Sequence, residues 1–322
     1  LNDFDYPLLL ESIPVPRPWG GGRLDKLFKR PIKEKTAQPI GEWWDVSTFP
    51  TDPGNPDLVT VNRIENGPYK SIPLDQVTDI PVVIKILDAN EKLSVQNHPV
   101  TKDVRKDEMW YVMYADPDAY LYCGLKDGVD VKEFCELVQS DSPDEEKVLS
   151  LLNKYDNLKP GMHFNVPSGT IHAVGPGVVA FEVSEKNQVT YRLYDYNRGR
   201  ALHLEEGCIA ATATRPPMPV LNHGLLVEEA DNMITLTEFP TFTVAKAVGN
   251  RIGIGKAKNR HIITAINGDV KIEGLGPQWV FNLKHSYSCI IPANSQPYNI
   301  DTQGSKEVLI TAVMDTPKPK IK

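Results

Sequence analysis

The hydrophobic pattern along the chain is mostly that of short strands. Ile40–Thr48 (IGEWWDVST) reads as a strand with Trp43 buried, and Ile80–Leu87 (IPVVIKIL) as a buried strand by its density of β-branched residues. Glu108–Tyr114, Met162–Val166, Thr170–Val174, Val178–Val183 and Val189–Tyr194 continue the series, and the β pattern returns from about Thr235. Gly161 permits the turn that starts Met162–Val166, and Pro167-Ser168-Gly169 is turn chemistry that sends Thr170–Val174 back beside it. His261–Ile272, with its central Asn-Gly, reads as a hairpin. Ser288–Pro292 followed by Ala293-Asn294 echoes Asn165–Gly169. Aligning the two prolines puts Ser286 where Gly161 stood, Asn294 where Gly169 stood and Pro297 where His172 stood. The pattern therefore implies a second barrel that repeats the first without its histidine.

One stretch breaks the β pattern. Val131–Val138 has helical spacing with Asp130 as its N-cap, and Ser142-Pro143-Asp144-Glu145 reads as a capping box whose helix runs to about Lys154. Residues 128–157 are thus a helical insertion covering one end of the first barrel. Residues 1–58 are proline-rich and irregular. Arg17–Gly22 is loop material, and no G-K-[ST] follows to make it a phosphate cradle. Ala201–Ala213 is a linker with some helical character. The organisation expected is mostly β: a metal-binding domain over 1–214 and a metal-free one over 215–322.

The chemistry concentrates in three of these strands. Gln96 and His98, in Leu93–Pro99, are two residues apart, so on a strand they face one way. Ten residues on comes Glu108, and His172 sits at the centre of its strand. His172 alone would read as an ordinary core or surface histidine. Two oxygen donors and two imidazoles together suit a borderline divalent metal such as zinc. Lys85, inside an apolar run, either carries its ammonium outward or is a pocket cation. Arg192 could equally form a salt bridge with Glu182 or Asp195, and Glu42 faces either the pocket or solvent.

Composition narrows the classes. The 322 residues carry a net charge of -7, which argues against non-specific nucleic-acid binding and means that an anionic substrate needs a local basic pocket. Cys123, Cys135, Cys208 and Cys289 are scattered without a C-x-x-C and do not read as a disulfide framework. No apolar run approaches the ~20 residues of a membrane span and no signal-peptide pattern opens the chain, so a cytoplasmic location is the expectation.

The spacing Gly161, Pro167, Gly169, His172 resembles the second cupin motif, and the assembled motifs resemble the type I phosphomannose isomerases, two-cupin zinc enzymes. The resemblance runs from about Pro18 to the C-terminus. It is carried by Leu93-Ser-Val-Gln-Asn-His-Pro99, Lys106-Asp-Glu108 with Trp110-Tyr111, Val166-Pro-Ser-Gly-Thr-Ile-His-Ala173 and Thr190-Tyr-Arg-Leu-Tyr-Asp195. It implies two jelly-roll (cupin) barrels with a small helical insertion, and one Zn2+ per chain on Gln96, His98, Glu108 and His172. It also implies catalytic roles for Arg192 and Lys106, and substrate contacts from Ser94 and Lys85. The implied reaction interconverts mannose 6-phosphate and fructose 6-phosphate through an enediol. The implied partner is a small sugar phosphate, with neither nucleic acid nor membrane, in a monomer or homodimer. Gln188 stands where the family has an acidic residue four before the arginine, and Val100-Thr101 replaces two acidic residues. Competing readings are an isomerase of an unphosphorylated aldose, a non-catalytic sugar-binding regulatory cupin that keeps the metal, and an iron-dependent cupin oxygenase.

Overall fold

The computed structural model describes residues 4–32, 36–101, 104–211, 233–276, 279–302, 304 and 307–314. The fold is mostly β, and the longest helix is Val131–Val138. Contacts group the described residues into two compact units, one of residues 14–43 and 86–211, the other of residues 4–13, 44–85 and the strands from Met233 onward. The 214/215 boundary expected from sequence lies outside the described residues. No helix among them is long and apolar enough to cross a membrane.

Two sheets build the first unit. A six-stranded sheet runs in the order His163–Val166, Glu108–Ala115, Val178–Glu185, Val82–Ala89, Ile40–Val46, Ile13–Pro16, the unit boundary falling inside the last three strands. A five-stranded sheet runs Leu152–Tyr155, Leu121–Leu125, His172–Val174, Val95–Asn97, Tyr191–Tyr194. Trp110, Val112, Phe164, Val166 and Ala180 of the larger sheet join Leu121, Cys123 and Val174 of the smaller one in a shared core. The period-2 alternation of strands then turns Val95, Tyr122, Ala173 and Leu193 to the other face of the smaller sheet. There they pack with Phe134, Cys135, Val138 and Val148. The helical insertion therefore covers the outer face of this sheet, rather than the barrel end expected for it.

Three local expectations change. The second insertion helix is Glu145–Ser150, capped by Asp144, whose side chain accepts from the Lys147 N–H at 3.1 Å. It stops well before Lys154 because Leu152–Tyr155 pairs antiparallel with Leu121–Leu125. That pairing satisfies a sheet edge, while one more turn on a short exposed helix would gain little. The Ala201–Ala213 linker holds a true helix, Leu204–Ala210. Cys135 and Cys208 form a disulfide, with Cα atoms 5.9 Å apart, where scattered cysteines gave no sign of one. Chain separation hid the pairing, because packing two helices side by side is what brings the cysteines together.

In the second unit, the strands from Met233 onward form a six-stranded sheet with Leu8–Leu9 and a four-stranded sheet. Arg260–Ala265 and Val270–Gly274, read as one hairpin, pair in different sheets. The Asn267-Gly268 turn thus makes a corner, with Gly268 at φ +116. The space between the sheets is filled by Ile252, Ile263, Val270, Ile272, Cys289, Ile291, Tyr298, Ile300 and Ile310. Ser286 (φ +70) and Asn294 (φ +57) adopt the positive φ that Gly161 (+96) and Gly169 (+85) adopt in the first unit, so the alignment of the two prolines has a backbone counterpart.

Candidate metal centre

The five-stranded sheet sets the site by register. Arg192 and His172 are the Cα partners of Gln96 on its two sides, and Cys123 is the partner of His172. Directly opposed residues share a face, so these four side chains form one row pointing into the barrel. Simple alternation would put Tyr194 on the face of Arg192, but a bulge between the two turns it away, and Tyr194 joins the core outside the sheet. His98 follows directly on Val95–Asn97, and Glu108 opens its strand in the facing sheet between Val166 and Ser184.

His98, Glu108 and His172 are fully buried and offer ligand atoms within 4.8 Å of one another. Each imidazole has its Nδ1 on a backbone carbonyl: His98 on Val189 at 3.0 Å, His172 on Thr170 at 2.8 Å. A carbonyl only accepts, so both Nδ1 atoms carry hydrogen and both Nε2 lone pairs point into the site. His98 Nε2 lies 3.1 Å from Glu108 Oε1 and makes no hydrogen bond; His172 Nε2 lies 3.9 Å from Glu108 Oε2. Burial, reinforced by the Lys106 cation, lowers the pKa of His98; burial, reinforced by His98, pushes His172 down to about 4. Both rings are therefore neutral near pH 7. Lys106 neutralises the carboxylate from one side (Nζ 2.8 Å from Oε1), but the two neutral nitrogen lone pairs facing it have no donor between them, a gap that a cation would fill. This donor set fits a divalent ion.

Gln96 borders the same space, its Nε2 3.5 Å from His172 Nε2 and its Oε1 accepting from the Ser94 hydroxyl at 3.0 Å. Its amide would offer the ion oxygen after a half-turn. Lys106 Nζ lies 2.8 Å from Glu108 Oε1. Burial would lower the Lys106 pKa, but Glu108 and Glu182 outweigh it and raise it, so Lys106 is held protonated in this arrangement. Burial likewise opposes ionisation of Glu108, and the Lys106 cation beside it holds its pKa well below the usual carboxylate range.

Arg192 lies at the other end of the row. Its Nη1 donates to the Ala201 carbonyl at 2.7 Å, and its buried Nε–H has no hydrogen-bond partner among the described residues. The Asp195 offered as its partner is instead clasped by Arg198 at 2.8 Å and by Arg200, whose Nε donates at 2.8 Å. Burial and then Arg200 lower the Arg192 pKa. Three guanidiniums thus influence one another around one carboxylate, which gives this acidic chain a local cationic patch. Lys85 sits with its Nζ 4.6 Å over the Trp44 ring.

Sequence reasoning missed Arg17, which binds Glu42 at 2.8 Å, and Glu42 in turn bears on Lys106. It also missed the Asp107 carboxylate, which accepts the Ser168 N–H at 2.7 Å and ties the ligand strand to the Pro167-Ser168-Gly169 turn. The acid–Glu pattern of Asp107-Glu108 was the available signal, since alternation sends only one of the two inward.

Paired β-sheets around a buried His/Glu/His cluster define a mostly β protein with a group that could hold a metal ion. No protein-family profile matches the chain. It is 34% identical over 236 residues to the mannose-6-phosphate isomerase of Streptococcus mutans, covering 65% of this chain and 69% of the relative. A probable mannose-6-phosphate isomerase of Bacillus subtilis, GmuF, is 29% identical over 95% of this chain and 99% of its own length. The chain belongs to the mannose-6-phosphate isomerase family. The crystal structure of the mannose 6-phosphate isomerase from Bacillus subtilis superposes with a TM-score of 0.75 at 23% identity, covering 96% of this chain and all of that one, and so shares the fold.

Proposed function

We propose that this chain is a zinc-dependent aldose–ketose isomerase interconverting mannose 6-phosphate and fructose 6-phosphate. The observation that carries the reading is the pair of neutral Nε2 atoms facing the Glu108 carboxylate, with His172 in one row with Gln96 and Arg192. His98, Glu108, His172 and Gln96 would hold the ion. When bound, it supplies Lewis-acid polarisation of the carbonyl or adjacent hydroxyl of the sugar. The two-cupin architecture is part of this reading: a catalytic first domain and a second domain with an apolar core.

The reaction moves a proton between C2 and C1 through an enediol. Arg192 keeps its charge and has a buried Nε–H to spare, which suits it to hold a developing enediolate oxygen and makes it a poor base. Lys106, protonated beside Glu108, can donate a proton to a substrate oxygen. Arg198 and Arg200 add positive charge beyond what Asp195 neutralises, which favours a phosphorylated sugar over a free aldose.

A coupled assay for fructose 6-phosphate from mannose 6-phosphate, run before and after chelation and again with zinc restored, tests this. Activity lost to chelator and regained with zinc supports the reading. A folded, zinc-loaded protein inactive on mannose 6-phosphate rejects it.

A further inference from the structure

Arg192 is held by one short segment. Its Nη1 rests on the Ala201 carbonyl at 2.7 Å, its backbone N–H donates to His203 Nδ1 at 3.2 Å, and its carbonyl accepts the His203 N–H at 2.8 Å. The helix that follows, Leu204–Ala210, lies directly on the Arg192 strand. A Cβ on Gly207 would come within 2.6 Å of a Leu193 methyl and 3.2 Å of Tyr191 Cβ, so glycine lets the helix lie close without displacing those side chains. The Gly207 carbonyl also accepts from Asn97, between ligand candidates Gln96 and His98, at 2.8 Å. At Cys208 the same helix is bonded to Cys135 of Val131–Val138. Cys208 is half-buried and Cys135 buried. The disulfide cross-links this helix to Val131–Val138, across 73 residues of chain.

We infer that the 201–208 segment is the positioning element for Arg192, with His203 as its main contact, and that the Cys135–Cys208 disulfide makes this positioning redox-dependent. The inference rests on the reading of Arg192 given above. A dithiol reductant opens the bond by supplying two electrons and two protons. The S–S bond breaks, Cys135 and Cys208 become thiols, and the reductant closes into its own disulfide. In a reducing compartment bonds of this kind are usually transient and regulatory. With the tie open, the helix, His203 and the Ala201 carbonyl are free to shift, and sub-ångström placement of a charged group governs turnover more than binding.

The test compares oxidised protein, protein reduced with dithiothreitol, and the variants Cys208→Ser, His203→Ala, His203→Asn and Arg192→Ala. Steady-state isomerisation of mannose 6-phosphate, metal content, circular dichroism and hydrogen exchange at the Arg192 and His203 amides are measured for each. Asparagine can place Oδ1 where Nδ1 stood and accept the same N–H. The expected result is that reduction, Cys208→Ser and His203→Ala each lower kcat about tenfold or more with KM changed less than about threefold. Metal content should stay constant, exchange at the two amides should quicken, and His203→Asn should restore most of the rate. Loss of activity in Arg192→Ala alongside kcat within about twofold of wild type in reduced protein and in His203→Ala would overturn the inference and leave the role of Arg192 standing. Loss of metal on reduction, or His203→Asn as impaired as His203→Ala, would also overturn it. An active Arg192→Ala would instead remove the reading on which it rests. Should reduced protein or Cys208→Ser unfold, the His203 pair decides.

Discussion

His98 Nε2 faces Glu108 Oε1 across 3.1 Å with no hydrogen bond between them, while the opposite ring nitrogen of His98 is fixed on the Val189 carbonyl. Burial would make such a contact costly in a protein with nothing to bind there. The contact is the strongest structural reason to place a cation among His98, Glu108 and His172.

Removing the carboxylate charge while keeping its shape should therefore empty the centre. Glu108→Gln is expected to purify with metal content reduced at least about tenfold and with isomerase activity lost in proportion. Elemental analysis of the purified variant checks this; full metal occupancy in Glu108→Gln would contradict it.

Arg192 should be needed for turnover and not for the metal. Truncating a donor aimed at developing charge commonly costs about 10²–10³ in kcat. Arg192→Ala is expected to fall in that range with normal metal content, and Arg192→Lys to recover little, because lysine cannot reproduce a planar fork held on the Ala201 carbonyl. Parallel kinetics and metal analysis separate the two contributions.

Acid should destabilise the metal-free protein through its histidines. Burial pushes folded His172 down to about 4, whereas an unfolded histidine titrates near about 6.5. Between those values the unfolded chain takes up a proton that the folded site refuses, so stability falls as pH drops through that window. Urea midpoints of chelated protein should be lower at pH 5 than at pH 7, and His172→Gln should shrink the difference. An unchanged difference in the variant would contradict the assignment.

Backbone strain gives a fourth expectation. Gly161 sits at φ +96 with its nearest potential Cβ neighbour, the Tyr111 hydroxyl, 3.6 Å away, so space is available and conformation is the obstacle. Gly161→Ala should lower stability by about 1 kcal/mol, read as a reduced thermal midpoint with the metal still bound.

Much of this was legible in the chain. Alternation placed the strands and put Gln96 and His98 on one face, while it was the motif resemblance that grouped them with Glu108 and His172; the structure brings His98, Glu108 and His172 within 4.8 Å. Asp130 was recognised as a helix cap because capping is a local matter: its side chain accepts the Lys132 N–H at 2.9 Å. What remained hidden depends on contacts distant along the chain. The Cys135–Cys208 bond spans 73 residues, and Arg17 reaches Glu42 through folding alone. Leu152–Tyr155 looked like the end of a helix because its edge pairing with Leu121–Leu125 leaves no mark in its own pattern. The Asn-Gly turn at 267–268 signalled a tight reversal correctly but could not say that the two strands would join different sheets.

The most direct measurement is anomalous X-ray diffraction at the zinc edge from crystals of active enzyme. The account requires one peak per chain bounded by His98 Nε2, the Glu108 carboxylate and His172 Nε2, with Gln96 beside it. A peak elsewhere in the chain, or none in crystals whose dissolved protein turns over mannose 6-phosphate, would contradict it.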